Sequence, residues 1–176
     1  MSEWSRQNQV PDVLRPGHEL LDRLIAGKSA LQVPLQLTFL FVAATAGAQE
    51  IQRINPEGMT QPTTYSHVVR HDNVLFLAGQ VSTDPDGNVI GKGDMNAQVR
   101  QVLENMQTVL KSQGADFANV VKITIYTTDI DAYRQSGDIR AEYWKGMAPA
   151  STLVQIDRLA RPDFLVEIEA TAILPE

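Results

Sequence analysis

Apolar and polar positions divide the chain into two textures, with the change near Ile51. Beyond it, Ile51 to Thr64 carries Asn55-Pro56-Glu57-Gly58 and Pro62 and reads as a loop or extended lead-in. Tyr65–Arg70 (YSHVVR) and Val74–Gly79 (VLFLAG) read as strands around a His71-Asp72-Asn73 turn. The second is apolar almost throughout, which predicts a central strand covered on both faces. Gly79 at its end marks a bulge or a close backbone approach. Asp84-Pro85-Asp86-Gly87 is a turn leading into a short Val89-Ile90 strand. Asp94 then caps a helix running to about Ser112, with Gly114 as its stop. Val99, Val102, Leu103, Met106, Val109 and Leu110 form one apolar stripe, leaving Gln98, Arg100, Gln101, Glu104 and Gln107 off it. Val120–Thr127 is a further strand. Ile130 to about Lys145 is a less regular helix, interrupted at Ser136-Gly137, whose buried side is Tyr133, Ile139, Tyr143 and Trp144.

Two β-branched runs between Pro149 and Leu174 close the chain, and the connector Ala160-Arg161-Pro162-Asp163 predicts an antiparallel hairpin. Alternation puts Glu167, Glu169 and Thr171 on one face of the last strand, and Val166, Ile168, Ala170 and Ala172 on the other. Paired carboxylates on one face suit a general base, while an ordinary solvated strand face is the alternative. The element order β-β-(β)-α-β-α-β-β implies an α+β fold, a mostly antiparallel sheet with two helices on one face. The opposite sheet face is then left open, which argues for self-association.

Residues 1–50 form an N-terminal extension ahead of a domain at residues 51–176. Within it, Ser29 to Gln49 carries no charge and includes LTFLFVAATAGA. A basic flank (Arg23, Lys28), an apolar centre and a small-x-small end at Ala46-Gly47-Ala48 are the parts of a secretory signal peptide, here residues 29–48. The acidic residues Glu3, Asp12, Glu19 and Asp22 are foreign to such a leader. The pattern predicts export to a periplasm, with a cytoplasmic location as the alternative. Gln32, Pro34, Gln36 and Thr38 make the segment a poor bilayer span, so no permanent membrane anchor is expected.

Composition narrows the chemistry. Fifteen basic against 21 acidic residues give a net charge of −6, and no basic run interleaves with aromatics, so no nucleic-acid partner is expected. The absence of cysteine excludes disulfides, thiol nucleophiles and Cys-ligated metals. His18, His67 and His71 show no HExxH spacing, so no metal site is predicted beyond what carboxylates alone would form.

The succession YSH, FLAGQV, GDMNAQVRQVLENM, GADFANVVKITIYTTDI, APASTLV and FLVEIEATAI resembles the Rid family, also called the YjgF/YER057c/UK114 family, over Ile51 to Leu174. The resemblance implies a chorismate-mutase-like subunit and a homotrimer whose sheets line a central barrel. It also implies three small-molecule clefts between neighbouring subunits and no metal or organic cofactor. The best-known members hydrolyse reactive 2-imino or enamine acids to 2-keto acids and ammonia. Carried over position by position, it makes Glu167 the residue that activates or positions water. Tyr65, the strand-end Gly79 and backbone groups around Leu153 become ligand-binding elements.

Two positions depart from the family pattern. The arginine that grips the substrate carboxylate after Pro-Ala is Ser151 here, and a common asparagine in the second helix is Gly137. A guanidinium offers a carboxylate paired, charge-assisted hydrogen bonds, whereas a serine hydroxyl offers one neutral bond. Losing the charged partner costs about 1.5–3 kcal/mol. Arg70 and Arg158 are the candidate substitutes, but strand parity sets Arg158 opposite Ser151 and Arg161 falls in the connector, so no rescue of the arginine is expected. These positions predict a Rid-type hydrolase of an imine or enamine lacking the usual carboxylate anchor, with Ser151 and Tyr65 orienting the ligand. The alternative is a non-catalytic trimer that binds a metabolite or holds proteins. An endoribonuclease activity, attached to the family by name, is disfavoured by the acidic balance and by the absence of a His-His or His-Lys acid/base set, His67 being a lone candidate histidine on a strand.

Overall fold

The computed structural model describes residues 50–175; the signal-like segment lies outside them. Six strands, β1 (Gln52–Ile54), β2 (Val68–His71), β3 (Val74–Val81), β4 (Val120–Thr127), β5 (Ala150–Gln155) and β6 (Val166–Ile173), form one sheet in the order β1-β2-β3-β6-β4-β5. Its pairs are antiparallel except β4–β5, which is parallel. The helices are α1 (Met95–Ser112), α2 (Ile130–Gln135) and α3 (Gly137–Trp144). The expected α+β architecture is therefore present. Among the described residues no helix is long and apolar enough to cross a membrane.

The stripe on α1 does what its spacing dictates. Val99, Val102, Leu103, Met106, Val109 and Leu110 are all fully buried against Leu75, Leu77, Val166, Ile168 and Ala172 of the sheet. Asp94 caps the helix, its carboxylate accepting from the Ala97 N–H at 3.1 Å. Gln98, expected off the stripe, is instead completely buried, because its amide is claimed by backbone from two loops. The second helix breaks at Ser136-Gly137 into α2 and α3, as its interruption foretold.

Three expectations are corrected. β1, read as part of a lead-in loop, pairs with β2 through Gln52↔Arg70 and Ile54↔Val68. Val89 forms only an isolated bridge to Thr83 rather than a strand. The last two strands are not a hairpin. The α2–α3 crossover returns β5 parallel to β4, and β6 inserts between β3 and β4. Residues 156–165 are long enough to carry the chain across that gap. Alternation along each strand was right, since Val166, Ile168, Ala170 and Ala172 are buried while Glu167, Glu169 and Thr171 face the other side. That open face is mixed rather than apolar. Phe76 and Val154 are exposed on it beside Lys122, Thr124, Glu169 and Thr171.

Candidate functional site

At one end of the open face two loops fold over the sheet. Val89, Leu159 and Phe164 form a second, smaller core there, against Val81, Tyr126 and Ile156. Buried amides on α1 hold both loops. Asn105 Nδ2 donates to the carbonyls of Val81 and Thr83, both at 3.0 Å. Gln98 Nε2 donates to Gly91 O at 3.1 Å and Asp163 O at 2.7 Å, and its Oε1 accepts from the Leu165 N–H at 2.9 Å. The amides of Gln98 and Asn105 are thereby matched, and the loops inherit the rigidity of the helix.

Beneath these loops lies a cleft of about 540 Å³, whose walls include Tyr65, Gly79, Thr83, Arg161, Phe164 and Glu167. That volume is in the range of small-molecule sites. Glu167 lies level with Val81 on β3 and Tyr126 on β4. The β3–β6 register shifts between Leu77 and Gln80, so the strand bulges at Ala78-Gly79. The Glu167 carboxylate occupies the space this opens: a Cβ at position 79 would stand 2.7 Å from its Cδ and 2.9 Å from its Cγ. Gly79 is thus the close approach its position suggested.

The two carboxylates differ in their surroundings. Glu169 accepts from the Tyr126 hydroxyl at 3.4 Å and lies further along the open face, beside Lys122 and Phe76. Glu167 is half-buried in the cleft, and among the described residues nothing hydrogen-bonds its carboxylate. Burial, and secondarily the charge of Glu169, push its pKa above the ordinary carboxylate value of 4.5. A partly dry, unclaimed carboxylate with raised basicity is what a general base requires.

Tyr65 stands on the opposite wall, half-exposed, its ring edge-on to His67 with centroids 5.6 Å apart. His67 itself is buried, with Nε2 3.0 Å from both the hydroxyl and the carbonyl of Thr60. It braces the wall from behind and is not presented to the cleft as a base. Ser151 and Leu153 are not brought to this site within the subunit. They lie level with Ile123 and Ile125 of the buried face, so they point to the helix side of the sheet, and Leu153 packs on the main core. Among the described residues, however, β5 is a sheet edge with no strand beyond it.

Arg161 is the residue the sequence reading missed. Placed by that reading in a hairpin connector, it reaches the cleft because residues 156–165 form a loop over the sheet rather than a tight turn. Its Nη1 donates to Gly87 O at 2.8 Å, and its guanidinium lies 5.2 Å from the Phe164 ring centre. The signal available was the aromatic three residues on, which is in reach only if the connector is not a hairpin.

Comparison with known proteins gives concordant matches. A family model described as Endoribonuclease L-PSP matches residues 58–174. A RutC family protein of Pyrococcus horikoshii is 40% identical over 108 residues, covering 61% of this chain and 85% of the relative. The human protein named 2-iminobutanoate/2-iminopropanoate deaminase is 35% identical over 109 residues, 62% of this chain and 79% of its own. Among solved structures, a Rid-family protein of unknown function from Yersinia pestis superposes with a TM-score of 0.66 at 33% identity, over 71% of this chain and 100% of the other.

Proposed function

From the premise that the chain belongs to the Rid family, whose model spans residues 58–174, we propose that it hydrolyses a small imine or enamine in the cleft around Glu167. The reaction is addition of water to the C=N carbon. Glu167 takes a proton from the water as its oxygen attacks, and passes that proton to the nitrogen. Glu167 then takes the proton of the new hydroxyl and delivers it to the amine nitrogen as the C=O bond forms and the C–N bond breaks, leaving a carbonyl compound and ammonia; an enamine reacts in the same way through its imine tautomer. Tyr65 orients the ligand from the facing wall. The observation that carries this reading is the Glu167 carboxylate itself, half-buried, unclaimed and raised in pKa over the Gly79 bulge. The name of the human relative, 35% identical, supports the same reaction class.

Assembly belongs to this proposal. Among the described residues β5 ends the sheet with one edge unpaired, and it carries Ser151 and Leu153 away from their own subunit's cleft. A homotrimer that sets this edge against a neighbour's Tyr65–Gly79–Glu167 wall would reunite the expected set and cover part of the open face. Light scattering should give about three times the mass of the subunit, and a monomer would refute the arrangement.

A second reading, a trimer that binds a metabolite or holds proteins without turning anything over, is favoured by one observation, the serine at position 151. Glu167→Gln separates the two. Under the hydrolase reading turnover collapses while binding persists; under the holding module there is no turnover to lose. We propose export as well, from the residue 29–48 pattern. A mature chain beginning at Gln49 supports it, and an intact Met1 terminus on protein recovered from its native host refutes it.

A further inference from the structure

One buried polar side chain behind the cleft takes no part in the proposed reaction. His67 is 4% exposed, so both of its ring nitrogens are out of reach of bulk water. Nε2 lies 3.0 Å from Thr60 O and 3.0 Å from Thr60 Oγ1, whereas Nδ1 is buried without a partner among the described residues. A carbonyl oxygen can only accept, so the hydrogen sits on Nε2 and Nδ1 is bare. The other tautomer would set a lone pair against the Thr60 carbonyl and leave a buried N–H with nothing to bond.

This bond closes a wall of the cleft. Thr60 and His67 are the ends of the segment 60–67, and Gln61, Pro62 and Tyr65, which line the cleft with Thr60, lie between them. The residues before Tyr65 are otherwise bonded among themselves. Asn55 Nδ2 donates to Pro62 O, and Gln61 Nε2 donates to the carbonyls of Pro56 and Met59. Among the described residues, every hydrogen bond from 55–64 to the rest of the subunit ends on His67, at its ring or at its N–H, which donates to Asn55 Oδ1 at 2.9 Å. Its carbonyl in turn accepts from the Ala78 N–H at 3.0 Å, next to the Gly79 bulge. The Tyr65 wall and the bulge therefore meet at this one residue.

We propose that His67, as its Nε2–H tautomer, is a positioning residue of the cleft, whose bond to the Thr60 carbonyl holds the Thr60–Tyr65 wall in place facing Glu167. The clamp stands on the hydrogen bonds; its effect on turnover rests on the hydrolase reading. Tyr65 can orient a ligand only while its ring stays where it is, and that ring rests edge-on against His67. Breaking the clamp orphans a partly buried carbonyl and raises the open population of the segment by about tenfold.

The test uses the full-length protein at neutral pH and two complementary variants, each checked by circular dichroism for native folding. His67→Gln puts an amide nitrogen where Nε2 was and removes the ring; His67→Phe keeps a ring and removes the nitrogen. A long-range 15N–1H correlation spectrum of wild type should place the proton on Nε2, and a proton on Nδ1 instead overturns the proposal without any variant. Amide hydrogen exchange of residues 59–65 should run about tenfold faster in His67→Phe and close to wild type in His67→Gln. With 2-iminopropionate, KM should rise about tenfold in His67→Phe while kcat changes by less than about threefold, and His67→Gln should restore KM. A merely destabilised protein would instead lose apparent kcat and keep its KM. Wild-type exchange in His67→Phe, or equal loss in the two variants, overturns the clamp. Exchange that behaves as expected in a wild type that releases no ammonia supports the clamp and refutes the hydrolase. Turnover with a KM indifferent to His67→Phe refutes the positioning role and spares the hydrolase.

Discussion

Replacing Gly79 by alanine tests whether the bulge serves the Glu167 carboxylate. The backbone at Gly79 is not in the left-handed region, so alanine introduces no conformational strain of its own. The whole perturbation is contact. The new Cβ would collide first with Glu167 Oε1 and would lie 2.7 Å from Cδ and 2.9 Å from Cγ, where carbon pairs rest at about 3.5–4.0 Å, so the carboxyl group must retreat by about 1 Å or more. Because it is the free end of a half-buried side chain, it can swing aside. The stability cost therefore falls at the low end of overpacking, about 1 kcal/mol, a shift of roughly 2–4 °C in Tm. Catalysis is far less tolerant. A 1 Å displacement of a positioned group costs about a hundredfold in rate. In a coupled assay for 2-iminopropionate hydrolysis, Gly79→Ala should keep its fold, lose little Tm and lose about two orders of magnitude in kcat. Wild-type kcat in a folded Gly79→Ala protein would refute the claim that the bulge sets the carboxylate's working position.

Glu167→Gln should be more stable than wild type at pH 7–8. A carboxyl with a raised folded-state pKa keeps its full stability below the ordinary value of 4.5 and loses it as pH rises through the folded value. Melting curves across pH should therefore separate above about 4.5 and converge below it; a wild type more stable than the variant at neutral pH would contradict this. Asn105→Ala removes the side-chain donor from the carbonyls of Val81 and Thr83, leaving Val81 O with the Thr83 N–H, and should cost about 1–3 kcal/mol. Because that amide pins a cleft wall, KM should rise as well, and a purely thermal effect would show the wall to be held some other way.

Local rules were legible in the sequence wherever one element decides its own state. The α1 stripe, the Asp94 cap and the alternation along β6 follow from side-chain periodicity alone, and all three are present. Partnership between strands is not local. The same alternation fits a β5–β6 hairpin and a β6 inserted between β3 and β4, and only the crossover of α2 and α3 decides. That one topological difference converts the 160–163 connector into a loop over the sheet and carries Arg161 to the cleft. Gln98 was misplaced for a related reason. A buried amide reads as a surface residue until the loops that bond it are known. Tyr65, Gly79 and Glu167, carried over from the family resemblance, line one cleft, whereas strand parity alone puts Glu167 on one face with Glu169 and does not choose between them. Ser151 and Leu153 face the helix side of their own subunit, a relation that single-chain spacing does not encode.

The most direct measurement is hydrolysis of 2-iminopropionate and 2-aminoacrylate by wild type and Glu167→Gln side by side, with ammonia release as the readout. Glu167 as the water-activating base predicts release by wild type that falls by two or more orders of magnitude in the variant, roughly the share assigned to general base catalysis. Equal release by the two proteins, or none by wild type above the uncatalysed rate, would contradict it.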